Sequence, residues 1–252
     1  MTLIAVCSAK HSPGATTLGL ALAARSGALF VEADHAGGDL AARWGLSLNP
    51  GLLTLAAASR RGLDSDLIDR HSQTTTAGHR LMVAPPSAEQ CRSALLSLGS
   101  GFAQIIRCSS SAATASIGNG AVADCGRWDP AGPCVDLVRE ADVTLLVLRP
   151  AVESVAHANA RLASLVPLAR NVIIVTIGDR PYRPDEVAAA LGGATTIAIA
   201  DDRVGASHLA SGRALDRTVR RTPFVRSLEP LLELLASPTS TSTEPAPTLV
   251  ST

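Results

Sequence analysis

Residues 9–16, AKHSPGAT, set a lysine, a glycine and a threonine at spacings that could hold a phosphate. A phosphate-binding loop follows a strand, opens a helix and turns successive backbone N–H groups toward the anion, with the helix dipole adding to them. Its usual pattern is G-x-x-x-x-G-K-[ST], in which the lysine reaches the terminal phosphates and the hydroxyl a magnesium ion. Gly14 and Thr16 satisfy that pattern, whereas Ala9 stands at the first glycine and Ala15 at the lysine. Pro13 has no N–H to give. Taken alone the match is weak, and the run reads rather as a helix start capped by Thr16 or Thr17. Lys10 stands out because it is the only lysine among 22 basic residues, and it lies inside this loop.

The flanking elements suit a phosphate loop. LIAVCS (3–8) reads as a buried strand and TTLGLALAARSG (16–27) as a helix ending at Gly27. ALFVEAD (28–34) is a second strand, followed by the turn residues HAGGD. Short helices are expected around 39–44, 51–60 and 63–70, a strand at 79–86, and a helix at 87–106 with Ser87 as N-cap and Gln90 three positions on. Further strands are expected at 120–126, 142–150, 171–179 and 195–201, with helices at 154–166, 184–192, 203–220 and 223–236. Near-continuous apolar strands alternating with helices indicate an α/β fold with a mainly parallel sheet, covered by helices on both faces. One domain over 1–236 is expected, with a loop at 108–119 and a disordered Ser/Thr/Pro-rich tail at 237–252.

Composition narrows the function classes. Hydrophobic residues are 46% and aromatics 2%, so the core must be aliphatic. Net charge is zero, which gives no overall pull toward nucleic acid or an anionic membrane. The five cysteines form no CxxC pair and no zinc-like spacing with histidine, so they read as reduced thiols in or near the core. No signal peptide, membrane span or amphipathic anchor is legible, so a cytoplasmic protein is expected.

Four segments together resemble the ParA/MinD family of P-loop ATPases, whose deviant Walker A loop reads K-G-G-x-G-K-[ST]. In SAKHSPGATT, Lys10 matches the first, signature lysine, Gly14 the shared glycine and Thr16 the magnesium-ligating hydroxyl. VEADHAGGDLAARWGL (31–46) is similar to the second strand and switch I, and puts Asp34 where an aspartate orients the attacking water. AVADCGRW (121–128) is similar to the Walker B strand and switch II, and places Asp124 by the metal. EADVTLLVLRPAVESVAHA (140–158) is similar to the next strand and helix. The resemblance spans residues 1–236. It implies a P-loop NTPase architecture, ATP and Mg²⁺ as ligands, a face-to-face homodimer and at most slow ATP hydrolysis. It assigns catalytic roles to Lys10, Asp34 and Asp124, metal contacts to Thr16 and Asp124, and nucleotide contacts to Lys10, Ser12, Gly14, Ala15, Thr16 and Thr17. SPGATT and the 32–46 segment also resemble an actinobacterial MinD-like subgroup lacking the second lysine, and the TadZ/CpaE pilus-positioning proteins.

The departures from that pattern leave three functions open. His11 and Ser12 replace two glycines, Ala15 removes a charge that phosphoryl transfer needs, and VTIGDRPY replaces the asparagine with which the family often reads adenine. The chain is expected to be an ATP-dependent dimerisation and positioning switch. A nucleotide-free scaffold for pilus, secretion or division components is the alternative. A non-specific DNA-binding partition protein is the third, resting on Arg213, Arg217, Arg220, Arg221 and Arg226, for which a solvated helix face is the favoured reading. Asp201 and Asp202 end a late strand, where they border a nucleotide or cap a helix. His71 and His79 read as surface residues, and a serine-hydrolase triad has no support.

Overall fold

The computed structural model of the protein describes residues 3–10, 13–108 and 120–236. Of the loop expected at 108–119, Cys108 instead ends the helix Ala88–Cys108 and the remainder lies outside the described residues, as does the expected tail. Eight strands build one sheet: β1 (Leu3–Ser8), β2 (Leu29–Glu32), β3 (Gln73–Thr74), β4 (Arg80–Met82), β5 (Ala121–Arg127), β6 (Val143–Leu148), β7 (Val172–Ile177) and β8 (Thr196–Ile199), in the order β3-β4-β2-β5-β1-β6-β7-β8. All pairings are parallel except the edge pair β3–β4. This is the α/β fold expected from the alternating apolar runs.

The period-2 alternation of each central strand divides the core into two layers. Leu3, Ala5 and Cys7 of β1 face one layer, and Ile4 and Val6 face the other. The first layer is covered by α3 (Leu52–Ala58), α4 (Ser65–Arg70), α5 (Ala88–Cys108), α6 (Val135–Glu140), α7 (Val152–Leu165) and α8 (Pro184–Ala190). The second is covered by α1 (Ala15–Ser26), α2 (Leu40–Trp44), α9 (Arg203–Ala210), α10 (Pro223–Arg226) and α11 (Glu229–Ala236). Buried side chains are mostly aliphatic, with Phe30, Phe102, Phe224 and Trp128 the large exceptions.

Several elements differ from the sequence expectation, each for a local reason. The helix expected over 203–220 stops at Ala210. Gly212 turns left-handed (φ 72°) beneath the Trp44 indole, whose Nε1–H donates to the Ala210 carbonyl at 2.8 Å. The helix expected over 223–236 breaks at Ser227, whose Oγ accepts the Ala200 N–H at 3.0 Å and so ties the turn to the end of β8. The helix after Ser87 is kinked at Gly99 (φ 54°, ψ −155°), although Ser87 Oγ does accept the Gln90 N–H at 3.3 Å. Strand β3 and helix α6 were not expected. The first is two residues long, and the second follows the turn-like run DPAGP.

One irregularity lies in the sheet centre. Val6 of β1 faces Asp124 of β5, yet Ser8 faces Arg127. Strand β5 therefore advances three residues while β1 advances two, a bulge at Cys125–Gly126. Bulges re-aim the side chains that follow them and recur beside functional sites.

Candidate nucleotide pocket

At the carboxyl ends of β1, β2 and β5 a pocket of about 500 Å³ opens, where α/β sheets usually bind ligands. Gly14, in a left-handed conformation (φ 111°), turns the chain from the loop into α1. No side chain among the described residues caps α1, and its first turn carries no acidic residue. The first N–H groups of a helix have no intrahelical partner. Here they are directed at the pocket that Gly14, Ala15, Thr16 and Thr17 line. The helix is 12 residues long, enough to supply a dipole at that end.

The opposite wall is acidic. Asp124, on β5, is only 3% exposed. Its carboxyl meets the Thr16 hydroxyl and accepts the Gly126 N–H at 3.1 Å. Burial pushes the Asp124 carboxyl up to about 6; the bonds from Thr16 and Gly126 pull it down, and the charges of Asp34 and Glu32 push it up again. Asp34 follows β2, and its Oδ1 accepts the Ala36 N–H at 2.8 Å. Gly126 (φ 62°) lies against the Asp34 carboxylate, which a Cβ at that position would strike. Thus the two aspartates and Thr16, scattered over 108 residues of sequence, meet in one pocket.

Glu32 holds this wall from behind. Its Oε1 accepts the N–H groups of Asp39 and Leu40 at 2.9 Å, and its Oε2 accepts that of Ala84 at 3.0 Å. It thereby ties β2 to the start of α2 and to the chain leaving β4. Burial raises its carboxyl above the ordinary range against the pull of these three donors. Gly38 passes so close that a Cβ would meet Glu32 and Ala84. Sequence reading gave Glu32 no role, because its partners lie 7, 8 and 52 residues away.

Of the expected site residues, Gly14, Ala15, Thr16, Thr17, Asp34 and Asp124 line the pocket. Ser12 lies outside the described residues. Lys10 does not line the pocket; its Nζ is 2.9 Å from Nε2 of His157 on α7, at an exposed position. Two arginines that sequence reading missed, Arg43 and Arg127, do line it. Among the other candidates, Asp202 caps α9 by accepting the Val204 N–H, and Asp201 pairs with Arg149 at 2.7 Å. Arg213, Arg217, Arg220, Arg221 and Arg226 are all exposed. Cys7, Cys91, Cys125 and Cys134 are free and buried. Among the described residues, no helix is long and apolar enough to cross a membrane.

No protein-family model matches the sequence. No curated protein is similar enough to count as a match. Solved structures do match. A ParA family ATPase from Chlorobium tepidum superposes with a TM-score of 0.73 at 19% identity, over 92% of this chain and 97% of that one. The septum site-determining protein MinD of Pyrococcus horikoshii, complexed with Mg-ADP, gives 0.67 at 15% identity, over 93% and 95%. MinD of Aquifex aeolicus in its complex with MinC gives 0.58 at 16% identity, over 93% and 95%. Likeness at this level of identity establishes architecture: the chain has the fold of the ParA/MinD P-loop ATPases.

Proposed function

We propose that the protein binds ATP with Mg²⁺ in this pocket and uses it as a dimerisation switch in a positioning process, with slow hydrolysis or none. The observation that carries this reading is a juxtaposition. The uncapped start of α1 opens into the same pocket as the Thr16–Asp124 pair. The α1 side offers N–H groups to an anion and the Thr16 hydroxyl to a cation; the opposite wall offers the Asp124 carboxyl to the same cation. That donor set fits Mg²⁺, which is commonly held by one or two carboxylates, with phosphate oxygens and water completing its shell. Among the described residues no cluster of three or more His, Cys, Asp or Glu side chains could hold a metal without such help. Asp34, fixed against Gly126, is assigned the orientation of an attacking water.

Slow turnover follows from position 15. An alanine there supplies no charge to spread over a transferring phosphoryl group. Lys10 is assigned a role across the dimer, since it sits on the loop yet points away from its own pocket. Its test is the mass of the protein in solution with ATP and Mg²⁺. The wild type should dimerise on adding ATP and Lys10→Ala should remain a monomer; an ATP-dependent dimer of Lys10→Ala would remove the role of Lys10. The contact between Lys10 and His157, with the missing charge at Ala15, favours a second reading, a nucleotide-free scaffold for a pilus, secretion or division machinery. A wild-type protein whose mass ignores ATP while partner binding persists would support that reading instead.

A further inference from the structure

The pocket lacks a lysine at position 15, but it does not lack positive charge. Arg43, on α2, is held by Asp39, its Nη2 3.4 Å from Oδ2. Arg127 ends β5 beside the start of the loop: it pairs in register with Ser8, and the next residue, Trp128, donates its N–H to the Ser8 carbonyl at 2.9 Å. Arg127 is exposed and lines the pocket, and it makes no ion pair with any described residue.

The β5 bulge explains how it comes to be there. Along a regular strand, Asp124 and Gly126 share a face and Arg127 takes the other. The extra residue between the Val6–Asp124 and Ser8–Arg127 pairs shifts that alternation, so Asp124, Gly126 and Arg127 line one pocket. The only lysine in the chain is engaged outside this pocket by His157. Among the described residues, Arg127 is therefore the arginine or lysine that is both inside the pocket and without an ion-pair partner.

We propose that Arg127 binds the terminal phosphates of the nucleotide in place of the lysine missing at position 15. A guanidinium suits this role, because its planar donors can engage two phosphate oxygens at once. The proposal rests on the reading of the pocket as an ATP site, and goes beyond it by moving the phosphate-binding charge from the loop to the end of β5.

The test is equilibrium binding of ATP and of AMP, each with Mg²⁺, to wild type, Arg127→Gln, Arg127→Lys and Arg43→Gln, with circular dichroism as a check on folding. Losing a charge-assisted contact should weaken ATP about thirtyfold in Arg127→Gln. AMP, which has no terminal phosphates, should bind that variant as it binds the wild type. Arg127→Lys should recover part of the loss, and Arg43→Gln should change ATP affinity less than Arg127→Gln does. Wild-type ATP affinity in Arg127→Gln, or an equal loss for AMP and ATP, would overturn the role of Arg127 and leave the ATP site standing. If the wild type bound no ATP at millimolar concentration, the ATP reading would fall and this proposal with it.

Discussion

The two walls of the pocket have fared differently. On the wall of β2 and β5 every group is present and tied down: Asp124 to Thr16 and Gly126, Asp34 against Gly126, Glu32 to three backbone donors. On the loop side, Ala9, Pro13 and Ala15 stand where a phosphate loop would offer a glycine, an N–H and a lysine. What remains there is the backbone start of α1 behind Gly14 and the hydroxyls of Thr16 and Thr17. Side-chain charge can be relocated because a phosphate accepts a cation from many directions. A buried carboxyl, by contrast, needs neighbours at fixed positions and is lost or kept as a set. On the proposed function, the pocket keeps its acidic wall while its loop lacks the lysine charge.

The sharpest way to break this comparison is to titrate the acidic wall. Asp124 ordinarily ionises near 3.8 and is pushed up to about 6 by burial. Its raised value means that the folded chain holds this proton more tightly than the unfolded chain. Its contribution to stability is therefore complete below pH 3.8 and is lost as pH rises through about 6. The loss is on the order of 3 kcal/mol. Urea unfolding without Mg²⁺ should show this decline in wild type, relative to Asp124→Asn, and Mg²⁺ should offset it above pH 6. A pH-independent difference between the two proteins would mean that Asp124 is not held as described.

A smaller effect is expected at Gly126. Alanine there must adopt a left-handed backbone and displace the Asp34 carboxylate. The expected cost is ~2 kcal/mol or more, a fall in Tm of roughly 4–8 °C. Gly45 is also left-handed (φ 64°) but nothing crowds it, so Gly45→Ala should cost only the backbone part. Equal losses at the two glycines would show that Asp34 is not pinned. Smaller still is Glu32→Gln. Its amide would turn an NH₂ toward at least one backbone N–H, costing about 1.5 kcal/mol. Hydrogen exchange should then quicken at Asp39, Leu40 and Ala84 ahead of the sheet centre.

The contrast also explains what the sequence could reveal. The central strands were legible because burial on both faces makes them continuous apolar runs. The Thr16 position was legible from the phosphate-loop pattern, and Asp34 and Asp124 through the resemblance of the segments 31–46 and 121–128 to the ParA/MinD family. Arg127 was not, since a register shift between β1 and β5 has no local signature and ordinary alternation places that side chain on the other face. Glu32 was not, because its partners come from three separate segments. The C-terminal helices were misjudged where tertiary bonds, from Trp44 to Ala210 and from Ala200 to Ser227, overrode a continuous helical pattern.

The most direct test of the account is a calorimetric titration of ATP, with and without Mg²⁺, into wild type and Ala15→Lys. The wild type should bind ATP in a Mg²⁺-dependent way in the micromolar range, tightened about tenfold in Ala15→Lys by one added charge-assisted contact. No binding by the wild type at millimolar ATP, with binding restored by Ala15→Lys, would contradict it: the pocket would then have kept its acidic wall without keeping its ligand.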